Sequence, residues 1–153
     1  MMKLNRKVEY ALIALKYMSS KKPGQLTSAK EIADRHGSPF DATSRVLQVM
    51  AQNGVLKSEQ GPQGGYLIVR DLTKISFFQL HEMILGPLGI TKCLVKTGEI
   101  DCGLVSKCNI MTPVKNLNSK LMDFLKSLPV AELVELDSLP AADTGLGMES
   151  HVS

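Results

Sequence analysis

The chain has 153 residues, 44% of them hydrophobic but only 5% aromatic and none Trp, so its core is built from Leu, Ile, Val, Met and Ala, a mix that favours helices. The net charge of +3 is unevenly spread: residues 1–75 carry 12 Lys and Arg against 6 Asp and Glu, whereas residues 76–153 carry 6 against 9, which places any phosphate-binding surface in the first half. No run approaches the roughly 18 apolar residues of a membrane span, and the charged stretch Met1 to Tyr10 does not read as a signal peptide, so the expectation is a cytoplasmic protein, away from membranes, with reduced thiols.

A first helix is predicted from about Asn5 to Ser19, with Tyr10, Ile13, Ala14 and Tyr17 or Met18 at helical spacing and Lys21 to Gly24 ending it. Ser28 and Glu31 form a capping-box pattern for a short second helix that stops at Gly37. A third helix opens with Ser38 as cap and Pro39 at the first helical position, buries Val46, Leu47, Val49 and Met50, and closes at Asn53-Gly54. The two helices and their short turn make a helix-turn-helix candidate. Leu56 to Gln60 and Tyr66 to Val69, joined by Gly61-Pro62-Gln63-Gly64-Gly65, read as a hairpin in the position of a wing.

Ser76 with Gln79 caps a fourth helix to about Leu85. Residues 90–111 have no clean period and hold all three cysteines, which marks a functional loop. Thr112 and Pro113 open a long helix whose Leu117, Leu121, Phe124, Leu125 and Leu128 form an apolar stripe. Val130 to Leu136 reads as one more short helix, and residues 137–153 as a disordered tail. The expected fold is mostly α with a small β-wing. A winged helix-turn-helix domain spans 1–75. The fourth helix, the cysteine loop (90–111) and the long striped helix (112–128) lie within 76–136.

The major groove of DNA accepts an α-helix whose first turns reach base edges. Here those turns offer Phe40, Asp41, Thr43, Ser44 and Arg45, and Arg45 suits guanine O6 and N7 in a bidentate pair. In the wing, Gln60 and Gln63 can donate to phosphates or minor-groove acceptors, and Gly64 and Gly65 let backbone come close without a Cβ clash. Ser28, at the start of the second helix, completes the candidate DNA-facing set. A solvated surface helix and an ordinary hairpin would show some of these features singly, but seldom together.

Cys93, Cys102 and Cys108 lie 9 and 6 residues apart, which is not the spacing of a zinc ribbon. They sit beside Lys92, Thr97, Asp101, Gly103 and Lys107, a polar setting unlike a core. Three soft thiolates on a loop suit an iron–sulfur cluster; zinc, or no metal at all, are the alternatives. An enzyme is not expected: the three histidines, His36, His81 and His151, lie outside the cysteine loop, and no phosphate-binding loop or paired-His zinc motif occurs.

Together these residues resemble the Rrf2-type winged-helix regulators. The likeness rests on Met2-Lys3-Leu4 and Tyr10-Ala11-Leu12 at the start, Ala33, the stretch Val46 to Leu56 with its Asn53-Gly54-Val55-Leu56, the wing Gly61 to Tyr66, the three cysteines, and Leu121 to Leu136. It covers roughly residues 2–136. The resemblance implies a homodimer that binds a double-stranded DNA operator, with the long helices crossing. It also implies a cluster on Cys93, Cys102 and Cys108, 4Fe–4S being favoured over 2Fe–2S. In the IscR branch a His follows three residues after the third Cys, and Met111 stands there in this chain. In the NsrR branch a carboxylate from the partner's first helix completes the cluster, and Glu9 matches it, one methylene longer than the usual Asp. His36 and His81 are the other candidate ligands. The implied function is a repressor with NsrR-like sensing of nitric oxide or oxidants, the alternative being IscR-like control of iron or cluster supply.

Overall fold

Asn5 is extended and its side-chain oxygen accepts from Lys7 N at 2.9 Å, which satisfies one of the free amides at a helix start and sets α1 at Arg6–Ser19. The computed structural model describes residues 3–95 and 102–135. Along these, α1 is followed by α2 (Ala29–His36), α3 (Phe40–Gln52), β1 (Leu56–Glu59), β2 (Gly65–Ile68), α4 (Phe77–Leu85), α5 (Met111–Ser127) and α6 (Val130–Val134). Three short 3-10 turns cover 72–74, 92–94 and 105–107. The predicted tail and most of the segment between the first two cysteines, including Thr97 and Asp101, lie outside the described residues, as does His151.

One face of α1 is sealed: Val8, Ala11, Ala14 and Leu15 are fully buried, at the 3–4 spacing of a helix side. Ala11, Ala14 and Leu15 join a core with Ile32 of α2, Val46, Leu47 and Met50 of α3, Val55, Ile75, and Leu80 of α4. Truncating such a residue, Leu47→Ala for instance, removes about 2–5 kcal/mol of stability. The same core takes in Val130, Ala131 and Val134 of α6. The chain reaches it because Leu128 O accepts from Phe77 N and Val130 N donates to Ile75 O, both at 2.8 Å, so the end of α5 is stitched to the start of α4.

β1 and β2 pair antiparallel, Leu56 opposite Ile68 and Glu59 opposite Gly65. The hairpin is anchored by a third piece of backbone that sequence reasoning missed. Thr27 and Tyr66 exchange both amide bonds, at 3.1 and 2.8 Å.

Two helix starts differ from expectation. At α3 the cap is Pro39, not Ser38: Pro39 is extended (φ −61°, ψ 130°), helix begins at Phe40, and the Ser38 hydroxyl pairs with Thr43 Oγ1 at 2.7 Å. At α5 helix begins at Met111 rather than after Thr112. Pro113 is tolerated there because the first four amides of a helix have no intrahelical partner. At α4 the expected capping box is complete, with Gln79 N donating to Ser76 Oγ at 3.1 Å and Ser76 N to Gln79 Oε1 at 3.0 Å.

A polar tie holds α2 to the end of α1. Ser28 Oγ accepts from Glu31 N at 3.1 Å, and the Glu31 carboxylate accepts from Tyr17 Oη and Lys21 Nζ, both at 2.6 Å. The Lys21 ammonium, then the Tyr17 hydroxyl, hold the Glu31 carboxyl below its ordinary value, and the bond to Glu31 raises the Tyr17 phenol. A depressed carboxylate stabilises the fold fully above its unfolded value, about 4.3, and that share is lost as the pH falls through the lower folded value. Glu31→Gln is therefore expected to lower stability by about 1 kcal/mol at neutral pH, since the pair is partly solvated. The difference from wild type should shrink in urea titrations below about pH 4.

Candidate nucleic-acid interface and cysteine loop

The first turns of α3 point outward from the core. Phe40, Asp41 and Arg45 are exposed and Ser44 is half-buried. Thr43 is a correction: it is 1% exposed and bonded to Ser38, so it braces the turn between the helices and is not presented to a ligand. Its place in the helix period, three residues before buried Val46, was the signal for this. Ser28 is half-buried and occupied as the α2 cap.

Gln60 and Gln63 are exposed on the wing. Gly64 and Gly65 have a nearer reason to be glycine than a phosphate. A Cβ at Gly64 would stand 2.5 Å from Glu59 O, and one at Gly65 2.7 Å from Thr27 O, both backbone atoms that cannot swing away. Gly65→Ala is thus expected to force the wing off Thr27 and to cost about 2 kcal/mol or more. Thermal melts of the variant would show it.

Cys93 stands in the 3-10 turn at 92–94, while Cys102 precedes and Cys108 follows the turn at 105–107. All three are half-buried free thiols. Ile90 N donates to Asn118 Oδ1 at 3.1 Å, which ties the start of this segment to α5. The three cysteines line one hollow of about 270 Å3, walled by Leu94, Leu104, Ile110, Met111 and Val114. Within it, Cys93 Sγ lies 3.2 Å from Thr91 Oγ1. Among the described residues no three His, Cys, Asp or Glu side chains approach closely enough to grip a single metal ion. The donor set itself, three cysteines around an apolar-walled hollow, offers the soft ligands that an iron–sulfur cluster takes.

None of the candidate fourth ligands reaches this hollow within the chain. Glu9 lies on α1, with its carboxylate 2.7 Å from Arg6 Nη1. His36 is exposed and edge-on to Tyr17, with ring centres 5.2 Å apart. Burial lowers the His81 imidazole below its ordinary value, and its Nδ1 is buried without a hydrogen-bond partner among the described residues. Met111 does line the hollow.

A model of the Rrf2 family, described as iron-dependent transcriptional regulators, matches residues 4–136. The chain belongs to the Rrf2 family. The Rrf2 chain is 27% identical over 143 residues to the regulator IscR of Yersinia pseudotuberculosis, covering 93% of this chain and 85% of that one. It is 24% identical over 151 residues to protein aau3 of Rhizobium meliloti, covering 99% and 96%. Among solved structures it is similar to CymR, the global cysteine regulator of B. subtilis, with a TM-score of 0.66, 18% identity, and 89% and 98% of the two chains covered. T. potens IscR gives a TM-score of 0.59 at 20% identity, covering 90% and 89%. The α3-plus-hairpin unit is therefore a DNA-binding winged helix, and this Rrf2 protein is a transcriptional regulator rather than an enzyme. Among the described residues no helix is long and apolar enough to cross a membrane.

Proposed function

We propose that the chain acts as a homodimeric repressor whose grip on a double-stranded DNA operator is set by an iron–sulfur cluster on Cys93, Cys102 and Cys108. The observation that carries this reading is the shared hollow: three thiols spread over 16 residues of chain line one apolar space. An apolar lining lowers the local polarity around a soft-ligand site. When bound, a cluster supplies a group that nitric oxide or an oxidant destroys. In the favoured 4Fe–4S, NsrR-like form, Glu9 of the partner subunit would be the fourth ligand, in competition with its pairing with Arg6. This would tie the cysteine loop of one protomer to α1 of the other. Its loss would let the two winged helices shift. Half-site spacing on DNA is strict, so a small shift lowers affinity.

The dimer rests on α5. Leu117 and Phe124 are 51% and 59% exposed, Leu121 and Leu125 are half-buried on the same helix and Leu128 just past its end, and only Met122 is fully turned inward. A second copy covers such a stripe symmetrically. DNA contacts are assigned to Phe40, Asp41, Ser44 and Arg45 of α3 and to Gln60 and Gln63 of the wing.

The test is purification without oxygen, with iron, sulfide and visible absorption measured before and after nitric oxide. About four iron and four sulfide per chain, bleached promptly by nitric oxide with loss of DNA binding, is the expected result. About two of each, insensitive to nitric oxide, would favour the IscR-like reading, which the likeness to Yersinia IscR supports. Zinc without iron would assign a structural metal site. No metal after reconstitution would sink the cluster and leave the DNA reading standing.

A further inference from the structure

Among the described residues, most exposed large apolar side chains belong to the cysteine loop or α5: Ile90, Leu104, Ile110, Leu117 and Phe124. Phe40 does not. It is the first residue of α3, 53% exposed, with exposed Asp41 next in the chain, half-buried Ser44 one turn on, and buried Thr43 on the inner side. Leaving an aromatic face in water forfeits a large burial term, and the described residues leave more than half of this one uncovered.

The polar edges of the major groove carry one apolar feature, the C5-methyl of thymine. We propose that Phe40 is a specificity-determining residue that packs on a thymine methyl in each half-site. This rests on the reading that α3 enters the major groove.

Deoxyuridine differs from thymidine in that methyl alone, so the contact can be deleted from the DNA side. The operator is first obtained by selecting bound duplexes from a random pool with the full-length dimer. Each thymine is then replaced by deoxyuridine. Wild type is expected to lose about four-fold in affinity at one thymine per half-site, and about fifteen-fold when both are replaced. Phe40→Ala should bind the thymine operator as weakly as wild type binds the uridine one, and should show no further loss with uridine. Phe40→Leu should keep most of the sensitivity. Phe40→Ala retaining the wild-type uridine penalty, or wild type indifferent to every replacement, overturns the proposal. A pool that yields no enriched sequence overturns the operator reading itself, and this contact with it. Far-UV circular dichroism checks that the variants fold, as expected for an exposed position.

Discussion

Leu117→Asp combined with Phe124→Asp is expected to leave the chain monomeric and to weaken operator binding by at least about a hundredfold. The two positions are seven residues apart, two helical turns, and both are more than half exposed on α5. Covered by a second copy, each apolar side chain would contribute on the order of 1 kcal/mol or more. An Asp there must either lose its hydration or keep the helices apart, and burying an unpaired carboxylate costs several kcal/mol. The affinity loss follows from linkage: two winged helices in one dimer meet two half-sites at a high effective concentration, and a monomer meets one. Because neither side chain is in the core of its own chain, far-UV circular dichroism should be unchanged. Sedimentation velocity reads the oligomer and fluorescence anisotropy the DNA affinity. A variant that stays dimeric would place the interface elsewhere. A monomer that binds DNA as wild type does would remove the need for a dimer.

Arg45→Ala carries the second large effect. Arg45 is exposed on α3, one turn beyond Asp41. A bidentate arginine–guanine pair discriminates by about 1–3 kcal/mol, and a dimer makes the contact twice, so operator affinity should fall by about thirty-fold or more. Specificity should relax at one guanine per half-site while non-specific binding changes little, since non-specific affinity is carried by phosphate charges spread over the surface. Competition with mutated operators measures this directly. An equal loss on every sequence would assign Arg45 to the backbone instead.

The local elements were legible because their signals are short-range. The Ser76–Gln79 capping box formed as its spacing demands, and α1, α2, the wing strands and α6 begin within a residue or two of their expected places. The starts of α3 and α5 were misjudged for a local reason too. Proline fixes φ, and it is equally at home as the last extended residue before a helix or inside its first turn, so Pro39 and Pro113 mark a boundary without fixing which side of it they occupy.

Short-range patterns in the residues specify the set of elements and the chemistry on offer: capped helices, a Gly-rich hairpin, an apolar stripe and three soft ligands. Which of these meet depends on how the whole chain packs. That packing turned Thr43 inward against Ser38, set Gly65 against the backbone of Thr27, 38 residues away, and carried Val130 back into the core beneath α1. It also gathered Cys93, Cys102 and Cys108 around one hollow. Caps and periodicity depend on residues a turn apart, whereas these meetings depend on which surfaces exclude water from one another, and that is settled only when the whole core closes.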